Sequence, residues 1–156
     1  MRVLTFILLF SIIYPEKFIY SVGFRFLNVG QATISSTIQD DSSINITTLI
    51  QSNKFLDKLY RVRDQINLVV DANDYSLKKI EKNIIEGQWK QSYTAQIDSD
   101  GNIISEDNLI QNNKLLFDPI SVLYSLRNKD LKLNDKYEYH ILGENEIKFL
   151  TTEVMN

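Results

Sequence analysis

The chain has 156 residues, enough for one domain with a core of its own. It contains no cysteine, which excludes disulfides, thiol nucleophiles, cysteine metal sites and an acylated lipobox cysteine. Lys and Arg number 17 against 20 Asp and Glu, a net charge of −3 that offers no basic field for nucleic acid. Five glycines and two prolines are few, which argues against a disordered chain.

Met1 to Tyr14 reads as a secretory signal. Arg2 is the charged start, and Val3 to Tyr14 is an apolar run of twelve residues, short of the roughly 20 that span a bilayer. No small-residue cleavage site is visible, and the cut is expected near Tyr14 to Glu16. The alternatives are an uncleaved membrane tether and a buried amino-terminal strand.

From Lys17 to Leu27 the pattern is that of a strand. Phe18, Tyr20, Val22, Phe24 and Phe26 alternate with Lys17, Ser21, Gly23 and Arg25. Such an aromatic face packs a core or lines an apolar cavity. Asn28 to Gly30 is expected to turn the chain into a second strand carrying Ala32, Ile34 and Ile38. Asp40 to Ser43 turns again, and Ile44, Ile46, Thr48 and Ile50 form the inward row of a third strand.

Phe55 to Leu59 reads as one helical turn or a loop. Tyr60, Val62, Asp64, Ile66, Leu68 and Val70 then alternate on another strand, with Asp64 interrupting an apolar face. A carboxylate there must be paired, neutralised or at a wet mouth, because an unpaired buried charge is costly. One reading pairs Asp64 with Arg127 or Arg25, so that Asp64→Ala costs several kcal/mol. The other lets a β-bulge turn Asp64 outward. Asp71 to Tyr75 makes a polar corner.

Leu77 to Glu86 and Gln88 to Ile97 read as a hairpin joined at Glu86-Gly87, with Trp89, Tyr93, Ala95 and Ile97 on one face. Asp98 to Gly101 is a turn; its resemblance to a calcium loop is superficial, since Gly stands fourth rather than sixth and no Glu stands twelfth. A short strand at Ile103-Ile104 and a polar loop from Glu106 to Lys114 follow.

Asp118-Pro119 is the sharpest local signal in the chain. Asp caps the orphan N–H groups of a first helical turn, and Pro at the first helical position has no N–H to leave unsatisfied. Ile120, Leu123, Tyr124 and Arg127 then share one face, and Val122 and Leu126 another, so this helix is expected to be covered on two sides. Ser121 reads as a small residue that permits close packing. Asn128 can end the helix in a left-handed cap. Arg127 suits the last turn electrostatically, either solvated or turned inside against a carboxylate. Tyr137, Tyr139 and Ile141 alternate on a later strand, Gly143 to Asn145 turns, and Glu146 to Val154 returns.

The segment DPISVLYSLR resembles the D-P-L-S-A-L-Y-Y-L-R-type motif of an uncharacterised bacterial exported family, domain-of-unknown-function family 3108. EKFIYSVGFRFLNVGQATIS, LYRVRD and VVDANDYSL are similar to other segments of that family, in the same order, over about residues 16–156. The resemblance implies export and an open, half-barrel-like antiparallel sheet, similar in outline to periplasmic lipoprotein carriers. Family members usually continue with further strands beyond the point where TTEVMN ends this chain, which implies either a truncated reading frame or a short variant and leaves closure of the sheet open.

The chemistry available is narrow. His140 is the only histidine, so a multi-histidine metal site is excluded, and its strand position reads as a solvated surface. Ser121 lies in no nucleophile elbow, and no phosphate-binding glycine loop occurs. Asn45-Ile46-Thr47 fits a glycosylation pattern but falls inside a strand. The expectation is a mainly β protein: a curved antiparallel sheet or open half-barrel, its concave side partly filled by one short helix, with Asp64, Asp118, Pro119, Ser121 and Arg127 as structural residues. No catalytic residue, metal, cofactor, nucleic-acid partner or transmembrane span is expected. The expected function is a periplasmic module holding a lipid or other apolar ligand against Phe18, Tyr20, Phe24, Phe26 and Tyr124. The alternative is a cell-envelope module that docks a protein partner by its sheet edge or aromatic strip.

Overall fold

The computed structural model describes residues 15–24, 27–105, 108–144 and 146–155. The segment expected to be a secretory signal, Arg25 and Phe26 therefore lie outside the described residues. Eight strands follow one another as an antiparallel meander: β1 (Glu16–Phe24), β2 (Leu27–Asp40), β3 (Ser43–Ser52), β4 (Arg63–Asp71), β5 (Leu77–Glu86), β6 (Trp89–Ile97), β7 (Ile103–Ser105) and β8 (Asn108–Ile110). Each pairs with its neighbours in sequence, and among the described residues the sheet does not close. The remaining elements are β9 (Leu116–Phe117), α1 (Pro119–Arg127), β10 (Lys136–Leu142) and β11 (Ile147–Glu153). The three short strands form a second sheet, in which β9 runs parallel to β10 and β11 antiparallel to it.

The period-2 alternation of the sequence becomes a two-faced sheet. Ile46, Leu68, Ile80 and Ala95 stand opposite one another across β3 to β6, all within 1% of complete burial. Burial of Ile46, Leu68 and Ile80 contributes about 1.5–3 kcal/mol each. The next inner row is Phe18, Ile34, Thr48, Ile66, Lys82 and Tyr93, and the one after it begins Tyr20, Ala32, Ile50 and Asp64. The opposite face reads Ser35, Thr47, Asn67, Glu81 and Thr94 along one register line, a surface made for water.

Helix α1 lies on the inner face and is covered on two sides, as its sequence implies. Tyr124 and Ile120 pack into the core of the large sheet, together with Leu116 and Leu142. Val122 and Leu126 pack against Phe117, Tyr139 and Ile141 of the small sheet. An ion pair stands at each end of the helix. At the start, Asp118 Oδ2 is 3.1 Å from Lys82 Nζ on β5. At the end, Arg127 Nη2 is 2.7 Å from Glu16 Oε1 on β1. Nine helical residues span about 13 Å, and β5 and β1 are four strand spacings apart, about 19 Å along the sheet. The helix therefore crosses the strands, and the long side chains of Lys82 and Arg127 supply the remaining reach.

Four local expectations are corrected. The first turn precedes Asn28: Phe24 pairs with Leu27, and Gly30 lies inside β2. Gly30 is required by close approach to β3, since a Cβ there would sit 2.4 Å from the Gln51 carbonyl oxygen. Residues 108–110 form β8 rather than a loop. An edge strand pairing by its backbone alone needs no apolar face, and Leu109 and Ile110 are exposed. Asn128 does not adopt a left-handed conformation, with φ −91°; its side-chain amide instead donates to the Tyr75 hydroxyl at 2.7 Å. Finally, the domain has a second sheet that the alternation of β10 and β11 did not separate from the first. The predicted hairpin holds, with Gly87 at φ +62° between β5 and β6. The segment after β3 contains a short 3-10 turn over Leu56–Lys58.

Candidate ligand groove

The start of α1 is built as the sequence implies, with one addition. Asp118 Oδ1 accepts from the Ile120 N–H at 2.9 Å, and Pro119 takes the first helical position. Ser121, completely buried, accepts from the Asp118 N–H at 3.0 Å and donates back to the Asp118 carbonyl at 3.1 Å. Its hydroxyl thus closes a capping box in addition to allowing close packing. This rigid start fixes which faces of the helix turn toward the sheet.

A groove of about 390 Å3 runs between α1 and the first two strands. Its sheet wall is Phe18, Tyr20 and Ile34; its helix wall is Ile120, Leu123, Tyr124 and Leu126; Leu131 and Arg127 complete it. Leu123 and Tyr20 are about half exposed, so the groove opens to solvent along one side. Among the described residues Arg127 is its only charged wall residue. The guanidinium carbon lies 4.8 Å from the centroid of Phe18 and 5.5 Å from that of Tyr124. Its fork donates to both oxygens of Glu16, at 3.1 and 2.7 Å, and Ser36 Oγ donates to the same carboxylate at 3.5 Å. The bonds to Glu16 push the Arg127 pKa up, holding its charge fixed. Tyr124 is 7% exposed, and among the described residues its buried hydroxyl has no hydrogen-bond partner. Burial raises its phenol pKa.

Of the five expected ligand-binding residues, Phe18, Tyr20 and Tyr124 meet in this groove. Phe24 closes β1 with its side chain outside the description, and Phe26 lies outside the described residues. Sequence reasoning missed Glu16, which is 111 positions from Arg127 and gives no local signal. It also missed Lys82, although that residue interrupts the apolar row of β5 as visibly as Asp64 interrupts β4.

Asp64 stays on the inner face, 8% exposed, with no bulge turning it out. Arg127 is engaged by Glu16 instead, which corrects the expected Asp64–Arg127 pair; Arg25 lies outside the described residues. Among the described residues, Asp64 forms no ion pair and accepts only the Ile85 N–H, at 3.2 Å. Burial pushes its pKa up, and the Ile85 bond offsets this in part. The sign follows from linkage. A carboxyl whose folded pKa exceeds its unfolded pKa contributes its full stability below the unfolded value, about 4, and loses it as pH rises through the folded value. Asp64→Asn keeps an acceptor for Ile85 and cannot ionise. It is expected to be the more stable protein at pH 7, with the difference closing below about pH 4. Urea midpoints across that range test this; an Asn variant less stable at pH 7 would mean that the carboxylate has a cationic partner.

His140 stands opposite Phe149 and packs edge-on against its ring at 5.5 Å. Among the described residues no three His, Asp or Glu side chains converge as metal ligands. No helix among them is long and apolar enough to cross a membrane.

An open antiparallel sheet with a helix laid across its inner face, and an apolar groove between the two, defines the class of this domain. The model for the family "Protein of unknown function (DUF3108)" matches residues 19–155, and the chain belongs to that family. The comparisons found no matching curated protein and no matching solved structure.

Proposed function

We propose that the protein is an exported, non-enzymatic binding module that holds a lipid or other apolar ligand in the groove between α1 and β1–β2. The observation that carries this reading is the groove itself. A volume of about 390 Å3 with aromatic and aliphatic walls and, among the described residues, a single charged group suits an apolar ligand with one polar end. The composition supports a non-enzymatic role, with no cysteine and one histidine. Export rests on Arg2 and the apolar run that follows it.

The test is native mass spectrometry with solvent extraction on protein purified from cell-envelope extracts without detergent. A co-purifying apolar molecule is expected, lost in Leu123→Asp, which places a charge in the groove at an exposed helix position. A clean apo mass for the unaltered protein would overturn the reading. A second reading has one observation in its favour: among the described residues β1 pairs on one side only, and it exposes Ile19 on one face and Tyr20 and Val22 on the other. Such an edge suits docking of a partner strand. Cross-linking in intact cells through residue 19 would capture that partner whether or not the groove is filled.

A further inference from the structure

We infer that the groove takes a single-chain amphiphile with a carboxylate head, and that Glu16 occupies the seat of that head on Arg127. The inference rests on the groove reading above and goes on to name the ligand's polar end. Three donors converge on the Glu16 carboxylate: Arg127 Nη1, Arg127 Nη2 and Ser36 Oγ. The two guanidinium bonds are the bidentate match of a planar fork to a planar carboxylate. The seat is thus shaped for a carboxylate and filled by one belonging to the chain.

The seat is also continuous with the apolar walls. The guanidinium rests on Phe18 and Tyr124, which line the groove, so a ligand head bound to Arg127 leaves its chain lying against them. Near that junction the buried Tyr124 hydroxyl has no partner among the described residues. Among the described residues one cation faces the groove, which favours a singly charged carboxylate over a doubly charged phosphate. The volume lies toward the lower end of small-molecule sites, which favours one chain over two.

Glu16 can be displaced. The side chains of the pair are 51% and 40% exposed, and exposed ion pairs of this kind hold weakly. A ligand carboxylate makes the same bonds and adds the burial of its chain, which Glu16 cannot offer.

The test is isothermal titration of the purified protein, stripped of cargo, with dodecanoate, dodecanol and dodecyl phosphate at pH 8. Dodecanoate is expected to bind about tenfold tighter than dodecanol. Glu16→Gln removes the competitor and should tighten dodecanoate about two- to fivefold while leaving dodecanol unchanged. Arg127→Met should bring the two affinities together. Both positions are at the surface, and matching denaturation midpoints verify the fold. Equal binding of dodecanoate and dodecanol, or weaker dodecanoate binding by Glu16→Gln, overturns the inference and leaves the groove reading standing. Tighter binding of dodecyl phosphate than of dodecanoate overturns the assignment of a carboxylate. Binding of none of the three overturns the groove reading as well.

Discussion

Lys82→Met is expected to destabilise the fold by about 3–5 kcal/mol, considerably more than the loss of its partner's charge in Asp118→Asn. The asymmetry comes from where each charge can go. The Asp118 side chain is 3% exposed at the base of α1, so without Lys82 its carboxylate faces the interior with only the helix N–H groups as partners. Lys82 is 20% exposed and borders a depression that also holds Glu144 and Glu146, so without Asp118 it turns toward water and other carboxylates. Asn caps a helix about as well as Asp, so Asp118→Asn keeps the bond to Ile120 and is expected to cost about 1 kcal/mol. Placing Asp118→Asn in the Lys82→Met background should recover most of the loss, because the double variant has no stranded charge. Urea unfolding of the four proteins measures this. A cost within about 0.5 kcal/mol for Lys82→Met would show that the pair does not hold α1 to β5.

Tyr124→Ala comes next, at about 3–5 kcal/mol, the usual cost of removing a buried aromatic ring. The ring joins the main core, lies 5.9 Å from that of Tyr75 and carries the guanidinium of Arg127. Its loss opens a cavity beneath the helix and loosens one wall of the groove. Tyr124→Phe separates ring from hydroxyl. Since that hydroxyl has no partner among the described residues, its removal should cost nothing and can stabilise. A cost above about 1 kcal/mol for Phe would show that the hydroxyl is bonded in solution. The same two variants read on the groove: Ala should lower the affinity for an alkyl chain, and Phe should preserve it.

The legible parts of this fold are those written in local periodicity. Alternation placed the inner rows of β3 and β4 correctly, and Asp118-Pro119 located the only α-helix among the described residues. Parallel pairing of β9 with β10 was not legible, because two residues carry no period. The groove was half legible. Phe18, Tyr20 and Tyr124 announce themselves by aromatic character, but Leu123 and Leu131 look like ordinary aliphatics until the chain places them beside β1. The polar features fared worst. Asp64 was correctly singled out as anomalous, but of its two expected partners Arg127 is taken by Glu16 and Arg25 lies outside the described residues: the sequence offers several cations, and only the fold decides which carboxylate Arg127 reaches.

The helix laid across the strands has a kinetic consequence. Each hairpin of the meander joins neighbours in sequence, and loop closures of that kind are fast. The contact between Arg127 and Glu16 bridges 111 positions and requires a sheet already in place to receive it. Docking of α1 is therefore expected on the late side of the rate-limiting barrier. Tyr124→Ala should steepen escape from the native state while leaving the refolding limb of its chevron nearly unmoved, whereas Leu68→Ala, at the centre of the meander, should slow refolding. On this expectation the groove, whose helix wall docks late, is the first part of the domain to be lost.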